Sequence, residues 1–337
     1  LNEAHRPGLL DRAVGLLASA MDAVGLNGTR LRWRWNQRRR DLGEAGMQAE
    51  MTVRSARVRY KMCPACRALV PRETSSCTEC GAGLSRVRAP GVGRALSNVI
   101  PGATAATGLL VLLNGVCFLV MLAVPFAIPG RETGGLFGFD PGTLLRYGSG
   151  FSLLTFGNGE WWRLVTPIFL HGGLLHFAMN TMVLLQLGPL VEEEYGTERF
   201  ATIYLVTGIA STFGSQAFRV VNMVGASGAL CGLLGLMLVH GIRRGGAYGN
   251  AIRNVMIQNT LLMLVISFLP GIDFVAHLSG FLVGFVLGWV VPYGAIRNRV
   301  SAFLWDLAPI AGVVLIVWAF WRMAVEGAGS ALLVLGR

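Results

Sequence analysis

Seven stretches of the chain contain no Asp, Glu, Lys or Arg: residues 95–130, 164–191, 200–218, 220–242, 254–272, 274–296 and 307–321. A helix that crosses the hydrocarbon of a bilayer needs roughly 20 mostly apolar residues, about 17 at the least. Six gaps meet that length, and the seventh reaches it if Arg322 snorkels and the span continues to Val325. The runs are continuous, with no alternation of period two, which excludes a transmembrane β-barrel. Composition agrees: 53% of the 337 residues are hydrophobic and 14% are charged, whereas soluble domains carry about a quarter charged residues. A soluble enzyme, a disordered chain, collagen and a disulfide-stapled secreted domain are excluded on the same grounds. The expected architecture is an all-α polytopic membrane protein with helices near 103–128, 172–191, 198–218, 226–242, 252–269, 273–293 and 307–325. The first long apolar run begins only after Arg94, so the first span is expected to act as the insertion signal.

Charge sets the expected orientation. Arg243, Arg244 and Arg253 lie between the fourth and fifth gaps, and Arg297 and Arg299 between the sixth and seventh. They share a side with the N-terminal region, which holds most of the net charge of +11. The positive-inside rule makes that side cytoplasmic and puts the C-terminus outside, as in a bacterial inner membrane. Residues 1–60 read as a basic segment open to disorder, 86–102 as a linker and 326–337 as a C-terminal tail. The Arg38-Arg39-Arg40 cluster sits where a basic run commonly sets topology or meets anionic headgroups, and nucleic acid is not an expected partner.

Residues 61–85 hold a separate chemistry. Cys63-Pro64-Ala65-Cys66 is followed after ten residues by Cys77-Thr78-Glu79-Cys80 and then Gly81. Two Cys-x-x-Cys pairs joined by a short loop can place four thiolates tetrahedrally around one Zn²⁺. Two disulfides are the alternative, but they need an oxidising compartment and the expected topology makes this module cytoplasmic. Four thiolates would close the coordination sphere, so the ion would be structural. The pattern resembles a zinc ribbon, a module that commonly docks a partner protein or stabilises its neighbour. Cys117 and Cys231 fall inside spans and read as packing residues.

Polar groups inside a bilayer are costly, which marks their positions as functional. His176 and Asn180 are four apart on the second span and share a helix face. Gly225-Ala226-Ser227-Gly228 opens the fourth span, which continues to Gly232. His277 precedes Gly280, Gly284 and Gly288 on the sixth. Small residues four apart let helices approach until their backbones nearly touch, which would bring a Ser at the outer end of one to a His at the outer end of the other. Each feature also has a plainer reading as packing surface, helix cap or interhelical hydrogen bond. Their common depth favours function.

From about residue 103 to 325 the chain resembles the rhomboid family of intramembrane serine proteases. Five motifs carry the resemblance in order: Glu160-Trp161-Trp162-Arg163; His176 and Asn180 with His171 upstream; Gly188, Glu192 and Gly196; Gly225 to Gly228; and His277, Gly280 and Gly284. The resemblance implies a six-helix core plus one C-terminal helix, with Ser227 as nucleophile and His277 as general base. It implies that His176 and Asn180 support the oxyanion, that Gly225 and Gly228 flank the nucleophile, and that the substrates are transmembrane proteins in the bilayer. It also implies that the loop of roughly 130–170 embeds sideways in the outer leaflet. The residue four after the nucleophile, an aromatic in the family, is Cys231 here. The physical reading runs parallel: a Ser hydroxyl needs an adjacent base, and a backbone amide at a helix start favours negative charge. Asp273, four before His277, reads as a helix N-cap rather than as an orienting acid. A catalytically silent relative that binds membrane clients is the alternative. A transporter would call for inverted repeats and midplane charges, neither of which the chain displays.

Overall fold

In the computed structural model the described residues are 14–19, 29, 32–33, 35–37, 60–62, 68–71, 74, 77–79, 81, 103–127, 136–219, 221–294 and 298–335. The chain divides into two units, residues 1–62 with 69–73, and residues 63–68 with 74–337. The first contains a small antiparallel pair, β1 (Tyr60–Met62) and β2 (Leu69–Pro71), in the register Tyr60 opposite Pro71 and Met62 opposite Leu69.

Among the described residues of the second unit, seven long helices follow the seven charge-free gaps: α1 (Ala105–Ala127), α2 (Leu174–Tyr195), α3 (Thr197–Phe218), α4 (Ser227–Arg244), α5 (Gly246–Ile266), α6 (Phe274–Val290) and α7 (Arg299–Leu335). Among the described residues, Ala105–Ala123, Leu174–Tyr195 and Val300–Gly327 are long and apolar enough to cross a membrane. Phe274–Val290 is apolar but shorter. In α3 and α4 the same lack of charge is reached with Gly, Ser and Thr, which lowers mean hydropathy. Those groups turn inward: Thr207, Ser211, Thr212, Ser215 and Gln216 are all buried. An interior helix packed by small polar residues needs less apolar surface than one that meets lipid on every side.

The helix α4 is the axis of this packing. A Cβ on Gly280 would overlap the carbonyl of Gly228, and one on Gly284 would overlap the carbonyl of Gly232. Added carbons on Gly228 and Gly232 would strike Ser211 and Thr207 of α3. The helix is therefore held backbone to backbone against α6 on one side and against short side chains of α3 on the other. Its C-terminal end meets α5 through Gly241 and Gly249, each of which lies against the other helix's backbone. The remainder of α5 packs loosely: only Gly249, Ile252 and Met256 are buried, while Leu261, Leu262 and Val265 are exposed.

The motif of Gly188, Glu192 and Gly196 resolves into three separate tasks. Gly188 lies against Thr107 and lets α1 close on α2. The Glu192 carboxylate accepts from the backbone N–H groups of Ala106 and Thr107, both at 3.2 Å, and from the hydroxyls of Thr104, Thr107 and Thr197. It thus caps the start of α1 from a different helix, where an anion also suits the helix dipole. Gly196, at φ +88°, turns the chain directly from α2 into α3.

Ahead of α2, residues 136–173 form short turns of helix. A short helix at Pro141–Arg146 is capped by Asp140, whose carboxylate accepts from Thr143 N at 3.0 Å. A π-turn at Leu153–Gly157 and 3₁₀ turns at Trp161–Leu164 and Thr166–Phe169 follow. Arg163 is fully buried at the loop's centre, donating from Nε to Glu160 at 2.6 Å and from Nη1 to the carbonyls of Leu145 and Ser149 at 2.8 and 3.0 Å. Burial pushes the Arg163 guanidinium below its usual range, and the Glu160 carboxylate opposes that shift. The Gln216 side chain of α3 donates to Arg163 O at 3.1 Å, and Gly150 pairs with Met223 in an isolated bridge.

The last helix is longer than the expected 307–325, and the expected tail from 326 is helical through Leu335. The helix has specific partners around the expected boundary. Glu326 accepts from Trp162 Nε1 at 2.9 Å and pairs with Arg322 one turn earlier, and Phe320 packs on Phe169.

Candidate active site

The chain reaches α4 through Gly225, whose φ of +125° and contact with the His176 ring admit no side chain. Its N–H donates to Pro167 O at 2.9 Å, fixing the turn to the loop below α2. That bond occupies the Gly225 amide, so its contribution is conformational. Gly228 serves packing in the same way, by admitting Ser211 and Gly280.

Ser227 is the first residue of α4, where the backbone N–H has no carbonyl one turn earlier to bond. Its Oγ lies 2.8 Å from His277 Nε2. His277 is in the first turn of α6, buried, at a point set by the glycine contact between α4 and α6. Asp273 caps that helix: its Oδ1 accepts from Val275 N at 3.0 Å and Ala276 N at 3.2 Å. Its other oxygen accepts from Ser215, and Arg219 lies 3.6 Å away, so the cap is tied to the end of α3. The expected cap is the observed one.

His176 stands on the opposite wall. Its Nδ1 accepts from Gly172 N at 3.3 Å, which leaves the proton of a neutral ring on Nε2. The Nε2 edge faces the Gly225 turn beside Ser227, so a donor is directed at the space next to the hydroxyl. His171 is completely buried, edge-on to both His176 and Phe177. Burial, with His176 nearby, pushes His171 down to about 3, so it is a neutral wall at ordinary pH. Asn180 is buried one turn below His176 and donates from Nδ2 to the His176 carbonyl at 2.9 Å. One of its two N–H bonds is thus used within the helix.

One contact lies outside every motif: Ser267 Oγ is 2.6 Å from His277 Nδ1. A serine ten residues before the histidine, at the end of a different helix, follows no periodicity and offers no pattern to find. Cys231, where the family's aromatic would stand, is buried inside α4.

Of the four cysteines in the sequence module, Cys63, Cys66 and Cys80 lie outside the described residues. Cys77 is buried, and its carbonyl accepts from Gly81 N at 2.9 Å in a turn with Gly81 at φ +68°. Among the described residues no group of three or more His, Cys, Asp or Glu side chains could hold a metal ion.

The first turns of α4 and α6 thus hold a Ser hydroxyl and a His ring within hydrogen-bond reach on two helices joined by glycines. Residues 158–294 match the Rhomboid domain. The chain is 35% identical over 136 residues to the putative rhomboid protease YdcA of Bacillus subtilis (strain 168), covering 68% of that protein and 40% of this chain. The chain belongs to the rhomboid family. It is also 42% identical over 140 residues to RHOMBOID-like protein 5 of Arabidopsis thaliana, covering 45% of that protein and 40% of this chain. To the rhomboid protease GluP of Bacillus subtilis (strain 168) it is 38% identical over 144 residues, covering 28% of that protein and 42% of this chain. The chain therefore spans less than half the length of several curated relatives it matches. Membership makes this an integral membrane protein of an intramembrane protease family.

Proposed function

We propose that the chain is a serine endopeptidase that hydrolyses peptide bonds in or near transmembrane segments of other membrane proteins. The observation that supports this most directly is the 2.8 Å approach of Ser227 Oγ to His277 Nε2 at the start of α4. In the first step His277 Nε2 takes the Ser227 proton as Oγ bonds to the substrate carbonyl carbon. The negative charge that develops on the carbonyl oxygen falls near the Ser227 amide and His176 Nε2–H, with Asn180 supplying its remaining N–H. The protonated His277 then gives its proton to the departing amine, the C–N bond breaks, and an acyl-enzyme on Ser227 remains. Water, deprotonated by the same nitrogen, hydrolyses that ester and returns the Ser227 hydroxyl.

A substrate helix must expose a carbonyl to Ser227, so segments with small or helix-breaking residues are the preferred class. The Arg distribution supports an N-terminus and an Arg243–Arg253 connection in the cytoplasm and a C-terminus outside. Cleavage of a fluorescent single-span peptide with an Ala-Gly-rich outer turn, in proteoliposomes, tests the reading. Activity should disappear in Ser227→Ala and in His277→Ala while both proteins remain folded. Undiminished cleavage by pure Ser227→Ala would overturn it, and a folded but inactive wild type would favour a silent client-binding relative.

The N-terminal module is assigned one structural Zn²⁺ held by Cys63, Cys66, Cys77 and Cys80. The turn from Cys77 to Gly81, closed by an amide-to-carbonyl bond and a left-handed glycine, fits the tight loop a Cys-x-x-Cys ligand pair requires. Bound zinc would hold the module folded and take no part in hydrolysis. A cytoplasmic protein is its proposed partner.

A further inference from the structure

The two imidazole nitrogens of His277 have different partners, and the second partner has a constrained proton. Ser267 ends α5, and its Oγ lies 2.6 Å from Met263 O as well as 2.6 Å from His277 Nδ1. A serine bonding the carbonyl four residues earlier is ordinary at a helix end. The contact to Nδ1 is not, because it joins two side chains on different helices that are 3% and 7% exposed.

A hydroxyl has one hydrogen, and a carbonyl oxygen has none. An O···O contact of 2.6 Å without a proton between the atoms is repulsive, so the Ser267 hydrogen lies on the line to Met263 O. The contact between Ser267 Oγ and Nδ1 then needs its proton from the imidazole, which places Nδ1–H toward Ser267. In a neutral ring that leaves Nε2 as a bare lone pair, 2.8 Å from Ser227 Oγ. For a neutral ring this is the only assignment that puts a proton in all three contacts.

We infer that Ser267 is a positioning residue for the hydrolysis proposed above, on which this inference rests: it fixes the tautomer and ring angle of His277 so that Nε2 accepts the Ser227 proton. Ser267 continues to act after that transfer. The imidazolium keeps its Nδ1–H on Ser267 Oγ, whose partial negative charge is reinforced by the Met263 carbonyl behind it. A serine in this place orients the base without a buried carboxylate, whose charge would be costly inside a bilayer. It also links the base to α5, whose outer half is otherwise weakly packed, so the alignment of His277 depends on where that helix end sits.

The test uses the full chain with Ser267→Ala and Ser267→Thr. Turnover of the fluorescent single-span peptide should fall roughly 10- to 100-fold in Ser267→Ala, since a correctly protonated base contributes at least that much to acyl transfer. KM and the thermal midpoint should hold. Threonine keeps a hydroxyl that can bond the carbonyl four residues back, and Ser267→Thr should restore most of the turnover. The ¹⁵N spectrum of histidine-labelled protein, with His277 identified by its loss in His277→Ala, should show an Nδ1–H tautomer in the wild type and a mixed population in Ser267→Ala. Wild-type turnover in Ser267→Ala would overturn the inference. So would a loss of turnover that comes with a lower midpoint and an unchanged tautomer. The spectrum requires no activity, so it judges Ser267 even if the Ser227→Ala control shows that the hydrolytic reading itself fails.

Discussion

The carbonyl of Gly228 rests against the α-carbon of Gly280, so α4 and α6 touch backbone to backbone immediately below the Ser227–His277 pair. The distance between Ser227 and His277 is thereby set by two chains of peptide atoms, which adjust far less than side chains do. The same contact recurs one turn deeper between Gly232 and Gly284.

Gly284→Ala is expected to damage the fold and the site together. Inserting a methyl into a well-packed core costs about 1–3 kcal/mol when side chains can shift. Here the obstacle is a carbonyl, so the loss should reach the upper end of that range. Gly157→Ala, which meets nothing within 4 Å, should leave the midpoint unchanged. Thermal unfolding of the two variants in one detergent gives the comparison.

Arg163→Leu should be among the most destabilising loop substitutions. It leaves Glu160 buried without its cation and frees the carbonyls of Leu145 and Ser149. Breaking a buried ion pair from one side costs about 3–5 kcal/mol. Arg322→Ala, which removes a partly exposed pairing with Glu326, should cost about 1 kcal/mol or less. Midpoints and the rate of protease nicking between residues 136 and 173 measure the difference. Equal effects from both substitutions would contradict the assigned role of Arg163.

The helices and the approach of Ser227 to His277 were legible because lipid imposes simple rules. Gaps without charge locate the long helices, although α7 overruns its gap at both ends, and glycines four apart show which helices meet. A Ser and a His at the ends of those glycine-rich helices then share a depth. Other features depend on contacts between segments far apart in sequence. Nothing near Ser267 reveals that it faces His277, because the connection from α5 to α6 sets that approach. The extension of α7 past residue 325 brings Glu326 to Trp162, 164 positions earlier, a contact no local pattern announces. The arrangement of the loop from 136 to 173 likewise depends on a buried arginine bonding carbonyls rather than on any periodicity.

Asn180→Ala separates two roles for that side chain. Loss of one oxyanion donor elsewhere costs about 10² to 10³ in turnover. The effect here should lie at or below that range, because His176 and the Ser227 amide remain and one Asn180 N–H is already held by His176 O. The expected pattern is slower cleavage with an unchanged thermal midpoint. A lowered midpoint with the folded fraction fully active would assign Asn180 to helix packing instead.

Zinc analysis of the full chain purified without chelators should give one ion per chain, and Cys77→Ser should lower that content without slowing peptide cleavage. Absence of zinc, or a disulfide among Cys63, Cys66, Cys77 and Cys80 found by mass mapping, would contradict the assignment.

The most direct test of the central claim is to treat the detergent-solubilised protein with a fluorophosphonate and map the adduct by mass spectrometry. One adduct per chain is expected, on Ser227, absent from Ser227→Ala and formed much more slowly in His277→Ala. A folded wild-type protein that cleaves the single-span peptide yet carries no adduct, or carries it on another residue, would contradict the assignment of Ser227 as the nucleophile.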